Sequence, residues 1–197
     1  MASVLRCSPL NRALWHKAEM NKIVELIKRD PIRVKALECV SRLNLPQCYI
    51  AAGFVRNLVW DSLHNIELST PLNDVDVIYF DPSESNPNSY LAYQAQLARC
   101  LPEVNWQVRN QAIMHERNGD SPYTSVLDAM GYWPEKETAV AVRHIAQNQY
   151  ECIAAFGFES LFSYCITYNP KRSRSTFEKR VNSKGWLARW PSLKVVP

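Results

Sequence analysis

The run Asp74-Val75-Asp76-Val77-Ile78-Tyr79-Phe80 constrains this chain more than any other stretch. Val, Ile, Tyr and Phe favour extended backbone, so Asp74 to Phe80 is expected to be a strand buried on both faces. Side chains alternate along a strand, which sets Asp74 and Asp76 on the same face, with Cα atoms roughly 6–7 Å apart. Two carboxylates held that close repel unless a cation lies between them. A hard divalent ion, Mg2+ or Mn2+, suits such a pair because it takes carboxylate oxygens and leaves room for phosphate.

The segment before it reads Tyr49-Ile50-Ala51-Ala52-Gly53-Phe54-Val55-Arg56-Asn57. Tyr49 to Ala52 is short and apolar and can end a first strand. Gly53 permits a tight turn and close approach of a ligand to the backbone. Phe54 to Leu63 has no breaker and reads as a helix, whose first N–H groups form an anion site. Arg56, in that first turn, runs against the helix dipole. An anionic partner is therefore expected, with Arg56 facing solvent at the helix start; the alternative is an ordinary surface ion pair. Asp74 and Asp76 have an alternative role too, as polar caps on the mouth of a buried strand.

These residues resemble a known superfamily. Gly53-Phe54-Val55-Arg56-Asn57, followed by Asp74-Val75-Asp76-Val77, is similar to the signature of DNA polymerase beta-like nucleotidyltransferases. The turn resembles that of tRNA CCA-adding enzymes and bacterial poly(A) polymerases. Val108-Arg109-Asn110-Gln111-Ala112-Ile113-Met114-His115 and the stretch from Trp186 to Pro191 extend the resemblance to a family of small, mostly bacterial nucleotidyltransferases. It covers residues 23–193. Phe54 is a departure, standing where the superfamily has a second small residue.

The resemblance implies an α/β, polymerase beta-like fold with a short mixed β-sheet flanked by helices. It implies transfer of a nucleoside monophosphate from a nucleoside triphosphate to an acceptor hydroxyl. Asp74 and Asp76 would hold the metal. Gly53, Phe54, Arg56 and Asn57 would hold the nucleotide, with Arg109 and Asn110 either joining them or forming a hydrogen-bonded turn. A third carboxylate is expected on the next strand, yet Asn105 stands at the matching place, and Glu103, of the same parity, is the candidate general base. The acceptor can be a small molecule, a protein or RNA. Two other classes stay open: a non-catalytic nucleotide- or RNA-binding module, and an RNA-tailing enzyme.

At 197 residues the chain suits one domain, 1–197. Residues 1–12 read as a variable extension. No apolar run reaches the ~20 residues of a membrane span, and none resembles a signal peptide. Six cysteines without metal-binding spacing read as small buried hydrophobes in a reducing cytoplasm, with a structural disulfide as the lesser alternative.

Apolar periodicity predicts helices through Met20–Ile27 and Val34–Leu43. Another is expected over Asn86–Leu101, packed through Tyr90, Leu91, Leu97, Ala98 and Leu101. Val104 to Val108 alternates as a third strand. Asp120 or Ser121 is expected to cap a short helix ending at Met130. Thr138–Ile145 is open between strand and helix, and Tyr150–Phe156 reads as a strand. The tail from Lys171 to Lys194 carries eight Lys/Arg against one acid, Glu178, so with the chain at +4 the rest is −3. Phe177, Val181, Trp186 and Trp190 are spaced to anchor it. Its cations suit either an anionic partner or a solvated face of a packing helix, and the second is preferred.

Overall fold

The computed structural model describes residues 9–197, with side chains from residue 14 onward. Two helices come first, α1 (Pro9–Lys28) and α2 (Pro31–Ser41). Asp30 separates them, capping α2 by accepting the Arg33 N–H, while Pro31 fills a first-turn position where no N–H is needed. Next come β1 (Tyr49–Ala51), α3 (Gly53–Leu63), β2 (Asp74–Tyr79), α4 (Ser89–Cys100) and β3 (Asn105–Asn110). Helices α5 (Gln111–Asn118) and α6 (Val126–Met130) precede a 3₁₀ turn, Lys136–Thr138. The hairpin β4 (Val140–Ala146) and β5 (Gln149–Ala154) follows. The chain continues through α7 (Glu159–Phe162), β6 (Cys165–Thr167), α8 (Arg174–Ser183), α9 (Trp186–Arg189) and β7 (Lys194–Val196).

Five strands form one mixed sheet in the order β3-β2-β1-β4-β5, with β2 and β3 parallel and the other neighbours antiparallel. Strand parity divides the core. Val75, Val77 and Tyr79 join Ile50, Trp106, Val108, Val140 and Val142 beneath α1, α2, α3 and α4. Ile78 and Phe80 point the other way, with Tyr49, Ala51 and Ala141, and are covered by Val126, Ala129 and Met130 of α6. Asp74 and Asp76 share this second face, at the end of β2 opposite Ile78 and Phe80, and are not buried.

The tail docks as its spacing predicts. Phe177, Val181, Trp186 and Trp190 are all buried in the larger core. Trp60 of α3 meets Trp186 and Trp190 edge-on, with ring centroids at 5.8 and 5.1 Å. Trp190 Nε1 donates to buried Asp61 at 2.9 Å.

Several expectations change. Leu91 and Ala98 are exposed. The side of α4 turned to the sheet is Tyr90, Tyr93, Gln94, Leu97 and Leu101, at i, i+3, i+4, i+7 and i+11, and Leu91 and Ala98 fall on the flank of that stripe. The cap of α6 is Ser125, which accepts the Asp128 N–H, because the helix starts only at Val126; Asp120, six residues earlier, forms an ion pair with Arg172. Thr138–Ile145 resolves into the 3₁₀ turn and β4. Helix α1 already begins at Pro9, and the rest of the expected extension, 1–8, lies outside the described residues, as does Cys7. Cys39 and Cys100 form a disulfide that ties the end of α2 to the end of α4, whereas Cys48 and Cys152 are buried free thiols.

Candidate active site

The site is built where β1 hands over to α3 and β2 begins. Ala51 of β1 pairs with Asp76 of β2 on one side and Ala141 of β4 on the other. The chain then turns at Ala52, whose φ of 56° and ψ of −121° are rare for a residue with a Cβ. Its carbonyl accepts the Val55 and Arg56 N–H groups and starts α3. The residue that strains the turn is therefore Ala52. Phe54 points into the core and does not widen the turn. At Gly53 a Cβ would lie 3.3 Å from Asn57 Nδ2, a tight contact with the end of a side chain, and 3.5 Å from Arg56 Nη2, an ordinary one.

Arg56 is not a solvent-facing arm. It is only 6% exposed. Its guanidinium sits in the corner formed by Trp60 and Trp186, 5.1 and 4.6 Å from the ring centroids. Nη1 donates to Thr138 Oγ1 at 2.7 Å and Nη2 to Asn57 Oδ1 at 2.9 Å. Burial pulls its pKa down to about 10, against the pull of Glu135, Asp76 and Glu137. The arginine thus has its anionic neighbours inside the protein. Asn57 serves it as an acceptor.

Asp74 is exposed and takes a hydrogen bond from Asn105 Nδ2 of β3. Asp76 is half-buried, and no hydrogen bond from the described residues supports its carboxylate. Burial raises its pKa and Asp74 adds to the rise, while Arg56, Lys184 and Arg180 oppose it. The parallel register places Asn105 beside Asp74 and Gln107 beside Asp76. Amides therefore fill both β3 positions next to the acids. Glu103 is exposed in the approach to β3, two residues before Asn105.

The donor set fits a small hard cation. Two carboxylates share an open face, and one has no hydrogen-bond donor. Among the described residues no group of three or more His, Cys, Asp or Glu side chains is arranged to hold a metal. A pair of carboxylates without further protein ligands is a donor set of the kind Mg2+ accepts.

Arg109 and Asn110 lie further along β3. Asn110 pairs with Tyr79, at the end of β2 away from Asp74. Its side chain accepts the Asp81 and Ala112 N–H groups and donates to Asp81 O and Glu84, which locks the turn into α5. Arg109 bonds Gln94 of α4 and Gln107, and stacks on Tyr90. The structure brings Gly53, Arg56, Asn57, Asp74 and Asp76 together and leaves Asn110 at the far end.

Other residues at the site carry no local motif. Glu135 is 1% exposed and holds Arg180 of α8 through Nε and Nη2, at 2.6 and 3.2 Å. Thr138 and Trp186 complete the surroundings of Arg56. Only the paired tryptophans and the basic tail hinted that a remote segment docks here.

A mixed sheet carrying this helix turn and acid pair defines a nucleotidyltransferase fold. The chain matches the model of a nucleotidyltransferase family over residues 38–195 and belongs to that family. An NMR structure described as revealing a CCA-adding enzyme head domain is similar to it at 28% identity. Its TM-score is 0.77, and the match covers 89% of this chain and 94% of that one. Two tRNA-processing enzyme structures are similar at 16% and 18% identity, each with a TM-score of 0.49. Each covers 81% of this chain, which spans 44% and 42% of theirs. No curated protein matches the chain. Among the described residues no helix is long and apolar enough to cross a membrane.

Proposed function

We propose that this nucleotidyltransferase is metal-dependent and transfers a nucleoside monophosphate from a nucleoside triphosphate to an acceptor hydroxyl, releasing pyrophosphate. The observation that carries the reading is the pair Asp74 and Asp76, on one open strand face beside the start of α3. Asp76 favours a cation strongly, because its carboxylate is desolvated, repelled by Asp74 and without a hydrogen-bond donor. Asp74 and Asp76 would hold Mg2+ or Mn2+, which when bound would supply positive charge against the charge that develops in an in-line displacement.

The chain's own groups supply the rest. The N–H groups opening α3, at Gly53 and Phe54, face an anion with the positive end of the helix dipole. Arg56, fixed under Gly53, adds a positive field without needing to touch phosphate. Asn105 orients Asp74. The proton acceptor proposed for the attacking hydroxyl is Glu103, exposed two residues before Asn105, the amides Asn105 and Gln107 being unable to take a proton. The likeness to the head domain of a CCA-adding enzyme favours RNA among the acceptor classes.

Calorimetry with the four ribonucleoside triphosphates tests the reading. Wild type should bind at least one of them only with magnesium present, and the double variant Asp74→Asn/Asp76→Asn should lose that dependence. Equal affinity in both proteins would sink it. Glu103→Gln should leave binding intact and slow transfer to an RNA 3′ end.

A further inference from the structure

We infer that Arg180 and Lys184, on the docked tail, form the subsite for the β- and γ-phosphates of the substrate, the part that leaves as pyrophosphate. The inference rests on the nucleotidyl-transfer reading above and adds to it the cations which that reading lacks. One divalent ion on Asp74 and Asp76 is already matched in charge by the two carboxylates. A triphosphate brings several further negative charges, and these require cations within reach.

The expected cation in the motif, Arg56, cannot reach out. Its guanidinium is buried and covered by Trp60 and Trp186, its Nη1 and Nη2 donate to Thr138 and Asn57, and its Nε, enclosed in the protein, has no partner among the described residues. Two further cations, Arg180 and Lys184, lie on the tail at the end of α8, where Glu135 holds Arg180. They are four residues apart and so share one face of α8 and its C-terminal end. Trp186, two residues beyond Lys184, lies against the Arg56 guanidinium and fixes this end of α8 beside the site.

Arg180 is prepared for such a task. Its Nε and Nη2 are held by the buried carboxylate of Glu135, while the side chain stays about one-third exposed. Nη1 has no acceptor among the described residues, so one edge of a rigid fork is left for a ligand. Lys184 is exposed and has no carboxylate partner among the described residues. The other tail arginines differ. Arg172 is engaged by Asp120 and Arg174 by Glu178, and Arg189 lies on Thr70.

Magnesium pyrophosphate is a probe independent of base and acceptor. Isothermal titration should show wild type binding it. Lys184→Met should weaken it about tenfold, the loss of one hydrogen bond to a charged group, and Lys184→Arg should restore most of it. Magnesium-dependent binding of nucleoside monophosphates should be unchanged in Lys184→Met. Arg180→Lys, which keeps a cation on Glu135 but loses the fork, should also weaken pyrophosphate binding. Unchanged pyrophosphate affinity in both Lys184→Met and Arg180→Lys would overturn the inference. So would a wild type that binds triphosphate with magnesium but not pyrophosphate, an outcome that leaves the transfer reading standing. If wild type binds no triphosphate with magnesium, both fall together.

Discussion

Removing Arg56 should unfold this protein at a markedly lower temperature, although the residue sits in what reads as a ligand-binding turn. Arg56→Ala deletes a charge-assisted hydrogen bond to buried Thr138, a loss of ~1.5–3 kcal/mol. It also deletes contacts with two indole faces, ~0.5–2 kcal/mol each. Part of this is returned, because burying the guanidinium was itself unfavourable, as its depressed pKa of about 10 records. The net loss should be ~3 kcal/mol. At 2–4 °C per kcal/mol for a domain of this size, the melting temperature should fall by ~6–12 °C. Arg56→Met, which keeps an apolar stem between Trp60 and Trp186, should fall by about half as much. Differential scanning calorimetry of the three proteins at neutral pH is the assay. A drop below ~2 °C for Arg56→Ala would refute the packing account and return Arg56 to solvent.

Asp76→Asn should raise the melting temperature at pH 7, since it removes a desolvated carboxylate repelled by Asp74. The sign follows from linkage: a carboxylate whose folded pKa is raised makes the fold most stable below its unfolded value of 3.8, and that stability is lost as pH rises through the folded value. Melting curves from pH 4 to 8 should therefore converge for wild type and variant at the acid end. Ala52→Gly should be neutral or stabilising by up to ~1 kcal/mol in urea titration, because glycine accepts the positive φ without strain; a clear loss would mean the turn is not strained. Cys39→Ser should cost up to ~4 kcal/mol, the loop-closure entropy of a 61-residue separation, and an unreduced digest should yield a linked Cys39–Cys100 peptide pair. Single-stranded RNA binding should show a shallow salt slope in filter assays, because Arg172 and Arg174 already hold carboxylates; a steep slope would put RNA on the tail.

How far the sequence carried the fold depended on the range of each signal. The strand from Asp74 was legible because parity is a local property, and the helix after Gly53 because it has no breaker. The anchors Phe177, Val181, Trp186 and Trp190 were legible from spacing. What they anchor against was not, since Trp60 lies more than a hundred residues away. The same gap explains Arg56: a helix start reads as exposed until a remote tryptophan covers it. Asn110 could not be placed in a pocket or a turn from its neighbours alone, because its partners Asp81 and Glu84 come from another strand's end. Ala52 escaped notice because strain is a property of φ, which a one-letter code does not carry. The Cys39–Cys100 pairing depends on α2 and α4 meeting, which periodicity does not determine.

The covering of Arg56 by Trp186 bears on the order in which the molecule matures. Synthesis runs from N- to C-terminus, so the acids and the Gly53 helix exist well before Trp186 does. During that interval Trp60 lacks its aromatic neighbours, Asp61 lacks the Trp190 donor, and Arg56 has one uncovered face. A nascent chain stopped short of Trp186 would hold both acids yet lack a settled helix to carry the turn. Competence to bind nucleotide should therefore arise in a single late step, when the tail arrives, and not grow gradually with chain length.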